Sequence, residues 1–192
     1  MIYKIMEPPF GSKGYQDMTE QEAKIHFDWY IKMIPKRLDM LKNAYKLKNQ
    51  GDIFDFSSES LVPLWSWYLD NVNILPKSKD EYKREVQNMP DYMKINVPKE
   101  KVEIGWIQIS LDIGIYFSEC LLNHSPKLRW GFVTEPKGLN SVNRPVIMGF
   151  INDMDFDHTN IMSVATSKIS RKASTDDALF QLFDIWLMFI PQ

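Results

Sequence analysis

Apolar residues recur at helical spacing in several parts of the chain, and the longest such pattern lies near the amino terminus. It begins at Thr19, which forms a capping-box pattern with Glu22. The apolar positions then follow at steps of one, three and four residues: Ala23, Phe27, Tyr30, Ile31, Ile34, Leu38, Leu41 and Tyr45. This spacing predicts an amphipathic helix that ends at Gly51. Because Pro35 interrupts helical hydrogen bonding, we expect either a kink there or two successive helices.

A polar region separates this helix from the second half of the chain. An amphipathic helix that starts near Ser57 or Ser58 precedes the region. Within it, a second capping-box pattern at Ser78 predicts a short, very polar helix that runs to about Met89. Residues 70–102 are the least hydrophobic part of the chain. We therefore expect them to form a polar, mobile excursion from the main body.

The second half of the chain mixes helical and strand patterns. The stretch 103–123 fits both, but its length exceeds the usual ~5–6 residues of a strand and favours a helix. The segments 127–134 and 144–150 have the pattern of two strands in an antiparallel pair. A helix over about 161–170 and a stronger one capped by Ser174 follow. These elements predict a helix-rich α+β domain with a small antiparallel sheet.

Composition limits the size, charge and location of the protein. The 192 residues include 44% hydrophobic and 13% aromatic side chains, which is enough for a single domain over 1–192 and argues against disorder. A net charge of −2 argues against a general nucleic-acid binder. A single cysteine, Cys120, excludes an internal disulfide. The longest apolar stretch, 104–122, contains carboxylates and is a poor membrane span. We therefore expect a cytoplasmic protein without nucleic-acid or membrane partners, whose oligomeric state stays open.

The sequence does not match the common cofactor and metal motifs. The acidic cluster at 153–157 departs from the EF-hand pattern, since His158 stands where that loop requires glycine. The histidines His26, His124 and His158 are far apart in the chain and lack the spacing of zinc ligands. The short loop 11–14 lacks the spacing of a phosphate-binding loop. We expect no cofactor and no metal ion.

One polar row distinguishes the predicted helix over 103–123. Asp112, Tyr116 and Glu119 are four and three residues apart, so they share one face of that helix. The strand that begins near Trp130 follows closely. The row is a pair of carboxylates available for acid–base chemistry, or else it has a purely structural role. In the structural interpretation, which we favour, the face is simply solvated, or Asp112 and Glu119 satisfy buried backbone or lysine groups near Trp130. We assign no catalytic residue, and expect any ligand or partner contact at these four residues.

A resemblance to a bacterial family rests on three segments. These are the D-x-G-x-Y-x-x-E pattern at 112–119, the Leu-Arg-Trp segment that ends at Trp130, and the segment 143–150. The pattern resembles small uncharacterised bacterial proteins, some of which are similar to immunity proteins of polymorphic toxin systems. It covers about a quarter of the chain, and no catalytic residue carries over from it. The resemblance implies a toxin as the protein partner.

Two functions from different classes follow from these patterns. The first is a non-enzymatic protein that binds another protein, for which toxin neutralisation as an immunity protein is the specific role suggested. Exposed acidic groups at Asp153, Asp155 and Asp157 would complement a basic toxin. The alternative is a small-ligand-binding protein or enzyme, with a pocket between the 106–123 helix and the 128–150 hairpin.

Overall fold

The structure is a computed structural model that describes residues 3–11, 13–49, 51–94, 97–136, 140–169 and 173–191. These residues form seven α-helices and two antiparallel sheets of two strands each, which confirms the predicted helix-rich α+β class. The helices are α1 (Glu20–Lys46), α2 (Leu61–Asn71), α3 (Lys79–Val86), α4 (Asp91–Lys94), α5 (Ile104–His124), α6 (His158–Ile169) and α7 (Ala178–Leu187). The strands are β1 (Ile74–Pro76), β2 (Glu100–Val102), β3 (Arg129–Gly131) and β4 (Val146–Met148).

Helix α1 begins where the sequence predicts and continues as one helix through Pro35. The capping box is present, with the Glu22 N–H donating to Thr19 Oγ1 at 3.2 Å and the Thr19 N–H donating to Glu22 Oε2 at 2.8 Å. Pro35 lies on the exposed side, where the carbonyl that proline leaves without a donor is not forced into the apolar core. The expected end at Gly51 is wrong, because the Asn49 side chain donates to the Tyr45 carbonyl at 3.0 Å and the helix ends earlier.

Helix α2 starts at Leu61, and the expected start at Ser57 or Ser58 is wrong. Those serines take part in a turn instead. Asp55 Oδ1 accepts hydrogen bonds from the Ser57 N–H at 2.9 Å and from its hydroxyl at 2.7 Å, and the Ser60 hydroxyl donates to the Ser57 carbonyl at 2.6 Å. Local side-chain bonds of this kind compete with helix formation and delay its start.

The polar region 70–102 is framed by a strand pair. Strands β1 and β2 run antiparallel, with Ile74 opposite Val102 and Pro76 opposite Glu100. The capping box at Ser78 is confirmed and starts α3. Neither α3 nor α4 contains a buried residue. The region is therefore an excursion closed at its base by β1 and β2, while its mobility stays a prediction.

Helix α5 is the centre of the fold and confirms the helical interpretation of 103–123. It packs against α1, α2, α6 and α7. Twelve of its residues are buried, from Gln108 to Leu121. Gly114 makes the closest approach to α6, since a Cβ placed there would lie 2.7 Å from Met162 Cγ. Of the polar row predicted on α5, Asp112 and Tyr116 are buried and Glu119 is half-buried.

The remaining elements complete the core. Strands β3 and β4 form the predicted antiparallel pair, with Trp130 opposite Ile147. Helix α6 starts at His158, earlier than expected. The expected cap of the last helix at Ser174 is wrong: α7 starts at Ala178, and the Ser174 hydroxyl accepts the Trp65 Nε1–H at 3.2 Å. Across the described ranges, no helix combines the length and apolar character that crossing a membrane requires.

Candidate functional site

A cavity of about 190 Å³ lies beneath the N-terminal segment, between α1, α5 and the first turn of α6. The described residues that line it are Met6, Pro8, Tyr15, His26, Trp29, Tyr30, Gln108, Leu111, Ile115, His158 and Thr159. None of them is an acidic or strongly basic residue. Apolar walls with a few polar side chains are typical of small-molecule sites.

Helix α1 supplies three aromatic walls from one face, because His26, Trp29 and Tyr30 are three and four residues apart. The His26 and Tyr30 rings stack with centroids 6.4 Å apart. The Tyr15 ring meets His26 edge-on at 5.2 Å. Such stacked and edge-to-face contacts hold aromatic rings in fixed orientations, so this side of the cavity has a defined shape.

His158 closes the cavity from the start of α6. Its Nε2 lies 2.5 Å from the Tyr30 hydroxyl, and the two groups share a hydrogen bond. The Trp130 ring packs behind both, with its centroid 5.9 Å from Tyr30 and 5.4 Å from His158. The Tyr30–His158 pair is thus held by α1, α6 and β3 together.

Burial keeps the titratable groups of the cavity uncharged at neutral pH. It lowers the pKa of His158 to about 3, and the nearby positive charge of Arg144 acts in the same direction. Burial also lowers the pKa of His26 and raises the pKa of Tyr30. Both histidines are therefore neutral imidazoles and Tyr30 is a neutral phenol.

Three side chains that line the cavity carry buried polar atoms without a hydrogen-bond partner among the described residues. These atoms are His26 Nδ1, His158 Nδ1 and Gln108 Nε2, in side chains that are only 2%, 1% and 4% exposed. The amide oxygen fixes the orientation of the Gln108 side chain, since Oε1 accepts the Met6 N–H at 3.0 Å. Unpaired buried polar atoms are rare in folded proteins, and each costs about 1–3 kcal/mol.

A buried ion pair fixes the N-terminal segment over the cavity. Arg37 donates to the Asp112 carboxylate from Nε at 2.8 Å and from Nη2 at 2.6 Å. The Tyr3 hydroxyl donates to the same carboxylate. Arg37 Nη1 donates to the Lys4 carbonyl at 2.7 Å. The α1–α5 ion pair therefore also binds the chain at Tyr3 and Lys4.

Comparisons with models of known protein families, with curated proteins and with solved structures found no match to this chain. The resemblance to immunity proteins therefore stays a prediction.

The structure does not bring the four predicted residues together at one site, although Glu119 and Trp130 contact each other. Asp112 is fully buried, and both of its oxygens accept hydrogen bonds from Arg37. Burial raises the pKa of Asp112 to about 6, although the Arg37 guanidinium acts to lower it. This carboxylate anchors Arg37 and Tyr3, and it is not one of the groups that line the cavity.

Tyr116 faces a different part of the molecule. Its hydroxyl accepts the Phe56 N–H at 3.1 Å, donates to the Ile53 carbonyl at 3.0 Å and lies 2.7 Å from Ser60 Oγ. These partners belong to the segment before α2. Tyr116 therefore holds that segment against α5.

Glu119 and Trp130 contact each other directly. Glu119 Oε1 accepts the Trp130 Nε1–H at 2.8 Å, and burial raises the pKa of this carboxyl. Because Trp130 packs behind Tyr30 and His158, this pair supports the back wall of the cavity. The cavity itself is not the pocket predicted from the sequence, since no described residue of 128–150 lines it.

The acidic cluster is less exposed than the sequence suggests. The expected exposure of Asp157 is wrong, because it is only 8% exposed, accepts the Asn160 N–H at 3.0 Å and pairs with Arg144. Asp155 accepts the Ser141 hydroxyl at 2.8 Å, while Asp153 is exposed. Within the described ranges, no group of three or more His, Cys, Asp or Glu side chains is placed to hold a metal ion.

Sequence reasoning missed the residues that line the cavity. The sequence places Tyr30 in the apolar stripe of α1, and it suggests His26 and His158 only in connection with metal sites, a zinc site for both and an EF-hand loop for His158. The one local signal is His26 with Tyr30, a polar aromatic pair four residues apart on a buried helix face. No sequence signal relates this pair to His158, because the contact joins two distant helices.

Proposed function

We propose that the protein binds a small organic molecule in the cavity between α1, α5 and α6. The observation that carries the proposal is the combination of aromatic walls with three buried polar atoms, on His26, Gln108 and His158, that lack partners among the described residues. A binding site is where a folded protein retains unused hydrogen-bonding capacity. A ligand would satisfy groups that the protein alone leaves unpaired.

The volume of the cavity favours a ligand of about one ring. At about 190 Å³ it is smaller than the roughly 300–1,000 Å³ of sites for drug-sized molecules. An engineered cavity of roughly 150 Å³ in another protein binds benzene. A six-membered ring is therefore a reasonable probe of this space.

Two larger grooves support the proposal less well. One, of about 380 Å³, lies between α6 and α7, and the other, of about 480 Å³, lies between the 77–102 region, α5 and α6. None of the unpartnered buried polar atoms belongs to a residue that lines either groove. Both grooves offer space for a ligand, but their walls carry no comparable unpaired polar atoms that a ligand could satisfy.

The chemistry of the Tyr30–His158 pair supports binding over proton transfer. An efficient general acid or base has a pKa near the working pH. Here the pKa of His158 falls to about 3 and that of Tyr30 rises, so both move away from neutrality. The pair serves better as a fixed hydrogen-bonding group.

Titration calorimetry with benzene and pyridine tests this proposal. We expect both to bind the wild-type protein, and the Ile115→Phe variant to bind them at least tenfold more weakly, because the larger side chain occupies the cavity. Ile107→Phe is the matched control, because Ile107 is also on α5 but lines the groove of about 480 Å³ instead. This variant should bind both compounds with the affinity of the wild type. The proposal is wrong if neither compound binds, or if both variants behave alike.

Binding of a partner protein, including a toxin, stays a separate prediction from the sequence. Fewer exposed carboxylates support this prediction than expected, because Asp157 is buried and Asp155 is hydrogen-bonded to Ser141.

A further inference from the structure

We propose that the ligand of this cavity is an uncharged ring that carries a hydrogen-bond acceptor, such as a ring nitrogen or a carbonyl oxygen. The inference rests on the proposed function and specifies the class of ligand. It follows from counting the donor hydrogens that line the cavity and from the charge of its walls.

The Tyr30–His158 pair has one donor hydrogen more than it can use. A neutral phenol carries one O–H and a neutral imidazole carries one N–H. The single hydrogen bond between Tyr30 and His158 Nε2 uses one of these two hydrogens. If the phenol donates, the imidazole N–H lies on Nδ1, which has no partner among the described residues. If the imidazole donates, the phenolic hydrogen is left over. Either tautomer leaves one donor for a ligand.

Gln108 adds at least one further donor. Its amide nitrogen carries two hydrogens, and Nε2 has no hydrogen-bond partner among the described residues. The Asp112 carboxylate lies one helical turn away, and the nearby amide helps to lower the pKa of that carboxyl. One carboxylate oxygen can attract one of the two hydrogens at most, so the other stays available.

The walls of the cavity favour an uncharged ligand. No acidic, lysine or arginine side chain is among the described residues that line it. Two ion pairs lie beside the cavity, Arg37 with Asp112 and Arg144 with Asp157, and each is internally neutralised. Bringing a net charge into such a site would cost its hydration without a paired counter-ion. Aromatic rings alone do attract organic cations, so a cationic ligand is the alternative that an experiment has to exclude.

The test compares pyridine, which has a ring nitrogen acceptor, with benzene, which has none. Titration calorimetry at mildly alkaline pH, where pyridine is uncharged, gives the ratio of their affinities for each variant. Gln108→Met removes the amide donors. Replacing both Tyr30 and His158 by phenylalanine removes the donor hydrogens of the pair, whereas either single replacement still leaves one. The pyridine nitrogen has one lone pair and accepts one hydrogen bond, so one of the two variants should lose this bond. We expect the preference for pyridine over benzene to fall about fivefold either in Gln108→Met or in the double variant, and in the triple variant that combines them, as for the loss of one hydrogen bond of about 1 kcal/mol.

Trp67→Phe is the matched control, because Trp67 Nε1 is also buried without a partner among the described residues but Trp67 does not line the cavity. Its affinity ratio should equal that of the wild type. N-methylpyridinium, similar in size but charged and without an acceptor, should not bind. Equal ratios in all variants, or tighter binding of N-methylpyridinium than of pyridine, would overturn the inference while leaving the proposed function standing. Absence of binding by every compound would overturn both.

Discussion

At the scale of single residues, the interior between α1, α5 and α6 is unusual for its polar content. Arg37 and Asp112 are both almost fully buried, at 1% and 0% exposure, and they contact each other through two hydrogen bonds. A buried ion pair of this kind contributes little net stability, but removing one partner leaves a buried charge without compensation. Either residue without the other would therefore destabilise this interior.

Replacing Asp112 by asparagine should lower the free energy of unfolding by about 3–5 kcal/mol, because it leaves the Arg37 charge buried and unpaired. Urea unfolding at neutral pH measures the change. The double variant Arg37→Met with Asp112→Asn should lose less than the single variant, since no charge stays buried. A loss below about 1 kcal/mol in the single variant would show that the ion pair does not anchor this interior.

His158 should make the protein less stable in acid. Its pKa is lowered to about 3 in the folded state, from 6.5 in the unfolded chain, so between these values the unfolded chain binds a proton that the folded protein excludes. The free energy of unfolding therefore falls as the pH falls through this window, by up to about 1.4 kcal/mol per pH unit. Asp112 acts oppositely between about 6 and 3.8, because its folded pKa is raised.

A His158→Gln variant isolates the contribution of this histidine. Urea unfolding at several pH values between neutrality and about pH 4 should show the stability difference between wild type and variant shrinking by about 2–3 kcal/mol toward acid. Parallel stability profiles for the two proteins would mean that His158 does not remain neutral in the folded state.

The roles of individual residues were harder to predict from the sequence than the helices and strands. Asp112 and Glu119 are carboxylates at helical spacing, but which buried donor each one meets depends on Arg37 and Trp130, which belong to other elements. Likewise, the pattern gives no indication that Asp157 would be buried. Helical spacing defines a face, while the neighbour that covers this face is determined by tertiary packing.

At the scale of elements, α5 and α6 pack closely together at Gly114. A Cβ there would lie 2.7 Å from Met162 Cγ and 3.3 Å from the His158 carbonyl oxygen. Gly105, near the start of the same helix, has its nearest neighbour, Tyr3 Cβ, at 3.9 Å, an ordinary contact distance. The two glycines therefore differ in packing while sharing one helix.

Gly114→Ala should destabilise the protein by about 1 kcal/mol or more, because overpacking at the α5–α6 contact exceeds the gain in helix propensity. Gly105→Ala should be neutral or stabilising. Thermal unfolding of both variants measures the difference. A stabilising effect of Gly114→Ala would show that α5 and α6 can separate at no cost.

The elements themselves were largely predictable. Capping boxes at Thr19 and Ser78 start helices as the sequence indicates, because these signals depend on residues three apart. The boundaries at Ser57 and Ser174 were wrong, since these serines bond to Asp55 and to Trp65 instead of capping helices. Local patterns therefore predict where helices exist better than where they begin.

At the scale of the whole molecule, we expect the polar excursion to be separable from the core. Strands β1 and β2 bring Pro76 and Glu100 opposite each other, and the helices between them bury no side chain. The cavity uses none of these residues. The fold of the main body should therefore not depend on the excursion.

Replacing residues 77–99 by Asn-Gly, a two-residue hairpin turn, should leave the main body folded, with a midpoint of thermal unfolding within about 5 °C of the wild type. The surface ion pairs that are lost contribute little, and shortening a loop costs little entropy. Circular dichroism measures whether the main body keeps its helices, and calorimetric titration with benzene measures whether the cavity still binds. Loss of helical signal from the core would contradict the separability of the excursion.

The candidate site was not predictable from the sequence because it is assembled from parts of the chain that are far apart. The N-terminal segment leads directly into α1, but α5 and α6, which supply the other walls, lie much later in the chain. Fold class depends on local periodicity and was predicted; a cavity depends on how helices cross.

The most direct test of the proposed binding site follows the indole signals of the six tryptophans by NMR during titration with pyridine. Trp29 lines the cavity, whereas Trp65 is fully buried elsewhere and donates to Ser174. We predict a saturable shift of the Trp29 indole resonance and an unchanged Trp65 resonance. An unchanged Trp29 resonance at saturating pyridine, or a shift at Trp65 in its place, would contradict ligand binding in this cavity.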